Sequence, residues 1–192
     1  MIGISKYLWP LLGLVATVQS AALVKVLYDR DRLIKSGEEI VLPVKPVDPR
    51  DIFRGEYVIL GYDLSSIRQP GPAPEIANLS RGSTVYVRLG KGADGNWTVS
   101  GVSADAPKLS PDERVLKGQV INVWSAQDKR DVVLNVRYGI ESYFVPEGTG
   151  RVLEEKVRDH KIEAIVAVGG DGEAALKGLV IDGERHVDPP LL

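Results

Sequence analysis

The hydrophobic pattern of the chain begins with a long apolar segment. No charged residue occurs between Lys6 and Lys25, and most of the residues between them are Leu, Val or Ala. A helix over residues 7–27 would be about 31 Å long, enough to cross the hydrocarbon core of a bilayer. Trp9 and Tyr28 mark its two ends, where aromatic side chains meet lipid headgroups. The pattern predicts one N-terminal transmembrane helix.

The flanks of this segment indicate how the helix begins and ends. Pro10 would fall in the first helical turn, where its missing N–H costs little. Residues 29–36 continue as an amphiphilic extension, and Gly37 suits a helix C-terminus. A cleaved signal peptide is an alternative, because residues 20–22 (Ser-Ala-Ala) form a small-residue site. The apolar run continues past these alanines, which favours an uncleaved anchor over a signal peptide and over a buried soluble helix.

The charges beside the span bear on its orientation. Lys6 precedes the span, whereas Lys25, Arg30, Arg32 and Lys35 follow it. The positive-inside rule would place the following domain in the cytoplasm. A signal anchor with a short basic tail exports that domain instead. The two rules disagree, so the sequence leaves the orientation open. We expect a single-pass protein with its domain on the extracytoplasmic side.

From residue 38 onward, apolar and polar residues mostly alternate with a period of two. This alternation predicts strands over residues 57–62, 84–89, 96–102, 116–124, 132–138, 162–168 and 173–181. Asp-Gly turns at residues 93–96 and 169–172 are typical of hairpins. One helix is predicted over residues 151–159, with Leu153 and Val157 on its apolar face. The fold class is therefore mainly β with one soluble helix (α+β), a compact antiparallel domain behind the anchor.

Prolines divide the remaining segments. Residues 38–49 carry three prolines within an alternating pattern, which indicates an edge strand or an extended linker. Residues 69–74, Gln-Pro-Gly-Pro-Ala-Pro, are predicted to form a loop with polyproline character. We divide the chain into an anchor with its extension over residues 1–37 and a β-rich domain over residues 38–192.

Two parts of the domain resemble each other. Residues 50–62 and 130–138 begin with Arg-Asp, continue with an apolar run and end in Tyr62 or Tyr138. Residues 85–102 and 165–179 each combine two apolar segments around an Asp-Gly turn. Matched positions lie about 76 to 80 residues apart, so two repeated halves would form one sheet system.

The most specific motif covers residues 55–62, Gly-Glu-Tyr-Val-Ile-Leu-Gly-Tyr. It resembles the signature of the GDYXXLXY family, with glutamate in place of the usual aspartate. The signature positions are Gly55, Glu56, Tyr57, Leu60 and Tyr62. Residues 46–54 and 138–148 are also similar to family segments, and with the anchor the resemblance covers nearly the whole chain. It implies a bacterial, membrane-anchored protein of unknown biochemical function and carries no catalytic assignment. We expect the anchor to lie in the inner membrane.

The motif also has a direct physical interpretation. In a strand, Val58, Leu60 and Tyr62 would share one face and pack into the core. The polar residues in and before the motif form a candidate recognition patch for a partner or ligand, comprising Arg50, Asp51, Arg54 and Glu56.

Composition narrows the chemistry that the chain can perform. The 192 residues include no cysteine and two histidines, and the net charge is -2. Disulfides and thiolate sites are thereby excluded, and no basic stripe supports nucleic-acid binding. Glu141 and Glu147 are conceivable acid–base carboxylates, but nothing in the sequence places them beside a substrate. We predict no catalytic residue, no cofactor and no metal ligand.

The leading functional hypothesis is an accessory protein whose anchored domain contacts another membrane or envelope protein. Gly13, Thr17 and Ala21 recur every four residues and would allow a partner helix to pack closely.

Two other functions are kept as alternatives. The first is an extracytoplasmic ligand-binding or sensory module, which a deep pocket lined by Tyr86, Trp97, Trp124 and Tyr143 would favour. The second is a hydrolase resembling membrane-bound signal peptidases. It is weaker, because the chain lacks the Ser-Met-x-Pro nucleophile segment of those enzymes.

Overall fold

The protein consists of a long N-terminal helix and a β-rich domain. The computed structural model describes residues 5–46, 57–70, 76, 78–93, 95–125, 131–145, 149–159 and 161–189. Antiparallel strands and one short helix form the domain. The predicted fold class, mainly β with one soluble helix, is confirmed.

Helix α1 extends over Ser5–Ser36 without interruption. From Leu8 to Ser36 it is long and apolar enough to cross a membrane, with a mean hydropathy of 1.7 in its apolar part. All side chains from Leu8 to Asp29 are exposed. The prediction that Pro10 lies in the first turn is wrong, because α1 already includes Ser5. Pro10 lacks only the N–H that would bond to the carbonyl four residues earlier, and α1 continues past it.

The domain contains eleven strands and helix α2 among the described residues. They are β1 (Glu38–Pro43), β2 (Tyr57–Ile59), β3 (Ser66–Pro70), β4 (Thr84–Lys91), β5 (Trp97–Ser103), β6 (Glu113–Ser125), β7 (Asp131–Arg137), β8 (Ser142–Phe144), α2 (Gly150–Arg158), β9 (Ile162–Val168), β10 (Ala174–Ile181) and β11 (Glu184–Val187). A 3-10 turn at Asp63–Ser65 separates β2 from β3.

The strands form two main antiparallel sheets and a separate two-stranded sheet. The four-stranded sheet has the order β1-β9-β10-β11, and the five-stranded sheet has the order β3-β7-β6-β4-β5. Among the described strands, β2 and β8 pair only with each other. The edge position of β1 confirms the prediction from its prolines. Pro43 ends this edge strand, so its missing N–H interrupts no inner ladder.

One hydrophobic core joins the two main sheets. It includes Leu42 of β1, Leu89 of β4, Leu134 of β7 and Leu179 of β10, all essentially inaccessible to solvent. Leu153 and Val157 of α2 are also buried, as the helical pattern predicts. The assignment of residues 1–37 and 38–192 to separate parts of the chain stays a prediction.

Three strands were not predicted, and the reason differs in each case. The polyproline prediction is wrong at its start, because Gln69 and Pro70 belong to β3, an edge strand that tolerates proline. Strand β8 is three residues long, too short for an alternating pattern to be recognised. Strand β11 exposes all four of its residues and therefore shows no alternation.

The proposed internal repeat corresponds only partly to the topology. Its hairpins, β4–β5 and β9–β10, each contain one bulge but lie in different sheets. The motif strand β2 pairs with β8, whereas its counterpart β7 is an inner strand of the five-stranded sheet.

Candidate functional site

The last two turns of α1 and the following Gly37 pack on the domain. We call residues 30–37 the helix foot. The Arg30 guanidinium donates a hydrogen bond to the Ala174 carbonyl at 2.6 Å. Asp31 is only 6% exposed and pairs with Lys35 at 2.7 Å. The Arg30 bond connects α1 to the start of β10, whereas the Asp31–Lys35 pair lies within α1. The helix is therefore not joined to the domain by a free linker.

Gly37 directly follows the last residue of α1, as the sequence predicts. This position requires a glycine because the neighbouring atoms are packed closely around it. Its N–H donates to the Leu33 carbonyl at 2.8 Å. A Cβ at this position would lie 2.6 Å from the Leu33 carbonyl oxygen and 3.1 Å from the Ala167 Cβ. The φ of Gly37 lies outside the left-handed region. The requirement is therefore space between α1 and β9 rather than an unusual backbone conformation.

A cleft of about 1180 Å³ lies beside the helix foot, and we call it the helix-foot cleft. Its walls are α1 from Val26 to Gly37, the segment at residues 109–115 and the β9–β10 turn at residues 168–173. Several of its charged side chains are paired: Glu173 accepts from Lys117 at 2.7 Å, and Glu38 bonds to Arg114.

A second cleft, of about 490 Å³, lies between the two sheets beside Trp97. The Lys91 ammonium and the Arg114 guanidinium lie 5.3 and 5.7 Å from the centre of the Trp97 ring. Both distances are within the range of cation–π attraction. Arg114 thus contacts both clefts and connects β6 to the edge strand β5.

The motif strand belongs to a long antiparallel ribbon. Strand β2 pairs with β8, and after a break β3 pairs with β7, so residues 57–70 run antiparallel to residues 131–144. In the break, the Leu60 N–H donates to the Glu141 carbonyl at 2.9 Å. Val58, Leu60 and Tyr62 are all buried, and Leu60 is 0% exposed. The predicted core-facing side of the motif is confirmed.

Two tyrosines bridge the break in this ribbon, an arrangement that we call the tyrosine latch. The Tyr62 hydroxyl donates to the Ile140 carbonyl at 2.8 Å, and the Tyr138 hydroxyl donates to the Leu64 carbonyl at 2.6 Å. Each tyrosine therefore bonds to the carbonyl two residues beyond the other tyrosine. This local two-fold arrangement relates the same two tyrosines that the sequence repeat matches.

Glu141 stabilises the turn that follows the latch residue Tyr138. Its carboxylate accepts hydrogen bonds from the Tyr138 N–H at 2.6 Å and the Gly139 N–H at 2.9 Å. These bonds hold the turn at Gly139, whose φ of +80° suits glycine. Burial, and to a smaller extent the Glu141 charge, raises the pKa of both latch phenols far above their usual value. Both phenols therefore remain neutral donors.

The site elements described above lie within the part of the chain that matches a known protein family. The family model of the GDYXXLXY protein matches residues 19–179, which include the helix foot, the ribbon and the latch. The chain belongs to the GDYXXLXY family. No curated protein and no solved structure matches the chain. In this member of the GDYXXLXY family, the last tyrosine of the signature forms one half of the latch.

Some predicted site residues lie outside the described part of the chain. Gly55 and Glu56 of the GDYXXLXY signature do so, as does the whole candidate recognition patch, formed by Arg50, Asp51, Arg54 and Glu56. Glu147, the second carboxylate considered for acid–base chemistry, also lies outside. Glu141 has both carboxylate oxygens bonded to backbone N–H groups, an arrangement typical of a structural carboxylate.

Neither of the two described clefts brings together the four aromatic residues proposed for a ligand pocket. Trp97 lines the smaller cleft, whereas neither described cleft includes Tyr86, Trp124 or Tyr143. Trp124 is exposed at the far end of β6, and the Tyr143 hydroxyl donates to Asp188 at 2.8 Å. Within the described residues, no group of three or more His, Asp or Glu side chains could hold a metal ion.

Sequence reasoning missed the helix foot and the latch. Asp31 gives a weak signal, since it lies four residues before Lys35 on the same helical face. The latch gives a clearer one, because both latch tyrosines adjoin a glycine, Gly61 or Gly139, and were matched in the repeat. Neither pattern reveals that the two tyrosines bond across the ribbon.

Proposed function

We propose that this member of the GDYXXLXY family is a single-pass accessory protein of a bacterial inner membrane. It holds its β-domain close to the extracytoplasmic surface and contacts another membrane protein. The observation that carries the proposal is the continuity of α1. One helix has an exposed apolar surface up to Tyr28 and is bonded to the domain from Arg30 onward. A partner bound to the helix would therefore be held at a fixed position relative to the domain.

The surface of α1 offers a place for a partner helix at Gly13, Thr17 and Ala21. The Thr17 hydroxyl donates to the Gly13 carbonyl at 2.8 Å, so this polar group is satisfied within α1. A Cβ on Gly13 would have no atom within 4 Å, so space is open above the backbone. Small side chains on one helical face allow two backbones to approach closely in a bilayer.

The anchor is tested by extracting membranes with alkaline carbonate and sequencing the N-terminus. The full chain is expected to remain in the pellet and to keep Met1, because apolar side chains on α1 favour the bilayer core. A mature chain that begins at Leu23 would identify a cleaved signal peptide and reject the anchor.

Partner contact is tested by cross-linking in native membranes. Replacing Gly13 and Ala21 with leucine should keep the protein in the membrane and lower the cross-linking yield, because added bulk separates the helices. The matched control replaces Val15 and Val18 with leucine on other parts of the helix surface and should keep the yield. Equal yields from both variants and the unmodified chain would remove α1 from the interface.

The helix-foot cleft supports a second candidate, a ligand-binding module. Its volume of about 1180 Å³ is sufficient for a small molecule. Isothermal titration of the detergent-solubilised full chain with candidate ligands, compared with an Arg32→Ala variant, tests it. Arg32 lines the cleft and is exposed. Binding that is unchanged in this variant would place the ligand elsewhere.

A further inference from the structure

The helix foot determines which side of the domain lies next to a bilayer. Tyr28 is the last aromatic residue of the exposed apolar surface, and Arg30 already bonds to Ala174 of the domain. Two residues of an α-helix span about 3 Å. If α1 crosses the membrane, as proposed above, the edge of the domain around the helix-foot cleft lies at the level of the lipid headgroups.

One loop of the domain lies at this edge. Leu109, Ser110 and Pro111 line the helix-foot cleft together with Val26 and Asp29 of α1. The exposed large hydrophobic residues of the described part of the domain are Leu109, Trp124, Phe144 and Val187. Of these, Leu109 is the one that lines this cleft, and it is 40% exposed.

The loop is held firmly beside the helix. The Arg114 guanidinium donates to the Pro111 carbonyl at 2.7 Å and also bonds to Glu38, which follows the helix foot directly. The Ser110 N–H donates to the Glu113 carboxylate at 3.1 Å. Since these bonds fix the loop in advance, a contact made by Leu109 would require little ordering of the chain.

We propose that the loop at residues 104–112 is a second membrane contact, with Leu109 inserted into the interfacial layer of the bilayer. The adjacent Lys108 is exposed and would face lipid phosphates. A leucine favours the apolar side of that layer and an ammonium group favours its phosphates, so the pair matches a lipid surface. With α1 as the first contact, the loop would fix the rotation of the domain about the helix axis.

The chain has no cysteine, so one introduced cysteine reports one position. The variant Leu109→Cys of the full chain is labelled with an environment-sensitive fluorophore and reconstituted into vesicles of phosphatidylethanolamine and phosphatidylglycerol. Lipids that carry a nitroxide near the headgroup serve as quenchers. Tyr28→Cys is the reference at the end of the span, and Trp124→Cys is the exposed reference on the domain. Trp124 lies about 33 Å along β6 from Arg114.

We expect the label at position 109 to lose fluorescence to the quencher as strongly as the label at position 28, while the label at position 124 keeps its signal. Quenching at position 28 without quenching at position 109 would overturn the loop contact and leave the anchor intact. Equal quenching at all three positions would also overturn it, because the loop would then not be distinguished from the rest of the domain. No quenching at position 28 would reject the anchor itself.

Discussion

The tyrosine latch shows how two buried hydroxyl groups hold a break in a β-ribbon. Each hydroxyl satisfies a carbonyl that has left the ladder, and without it that carbonyl would be buried and unpaired. A buried acceptor that loses its donor costs more than the net value of an ordinary hydrogen bond. Tyr62, the last residue of the family signature, therefore has a structural reason to be a tyrosine rather than a phenylalanine.

Replacing Tyr62 with phenylalanine should lower the free energy of unfolding by about 1–3 kcal/mol, because the Ile140 carbonyl loses its donor. Chemical denaturation of the detergent-solubilised chain, followed by circular dichroism, measures the change. Tyr57→Phe is the matched control, since the Tyr57 ring packs on Phe144 and no hydroxyl bond to the described residues is involved. Equal losses in the two variants would contradict the latch.

The latch also predicts loss of stability in alkali. The phenols of the unfolded chain ionise near pH 10, whereas burial raises the pKa of both Tyr62 and Tyr138 in the folded state. Below pH 10 both states keep these protons. Above it only the unfolded state releases them, so the free energy of unfolding falls by about 1.4 kcal/mol per pH unit for each tyrosine.

Denaturation at about pH 9 and pH 11 measures this decline. The double variant Tyr62→Phe/Tyr138→Phe starts from a lower stability but should lose less of it between the two pH values. Tyr143, whose pKa is also raised by burial, remains in both proteins and contributes equally. An identical decline in the variant would mean that other groups cause the alkaline unfolding.

At the scale of elements, sequence periodicity predicts the strands whose own residues alternate or are buried. It misses the strands that form only by pairing with a distant segment. Strand β9 is predicted at its observed bounds, residues 162–168, because its apolar residues, interrupted by Glu163 alone, are bounded by a charged residue and a glycine pair. Strand β8 is not, because its three residues become a strand only by pairing with the equally short β2. The burial of Asp31 could not be predicted either, because the end of α1 packs on β9 and β10, which are more than a hundred residues away in the sequence.

The junction between α1 and β1 depends on the small size of Gly37. Gly37→Ala should lower the free energy of unfolding by about 1–3 kcal/mol, since the added Cβ would meet the Leu33 carbonyl oxygen and β9. Gly170→Ala is the matched control, because a Cβ there has no atom within 4 Å. Thermal melts of both full-length variants measure the difference. Similar melting temperatures would mean that the junction relaxes without cost.

At the scale of the whole molecule, α1 has an exposed apolar surface before residue 30 and packs on the domain at its end. Residues 30–37 contact β9 and β10, whereas the residues before them are exposed. Composition places the boundary of the anchor at residue 37, where the charged extension ends. The packing leads us to predict instead that the helix foot unfolds together with the domain, because Arg30 bonds to Ala174 and Asp31 is buried.

This difference can be measured by comparing two soluble pieces, residues 29–192 and residues 38–192. Both are expected to give a strand-dominated circular dichroism spectrum, since the core that joins the two sheets lies wholly after residue 38. The longer piece should be more stable by about 2 kcal/mol, because it keeps the Arg30 bond to Ala174 and the partial burial of Leu33. The Arg30→Ala variant of the longer piece should have a stability between those of the two pieces. Its loss relative to the unmodified longer piece measures the guanidinium bond, and the remainder measures the helical packing. Equal stability of the two pieces would show that the helix foot rests on the domain without stabilising it. A shorter piece that fails to fold would move the domain boundary from residue 38 to the start of the foot.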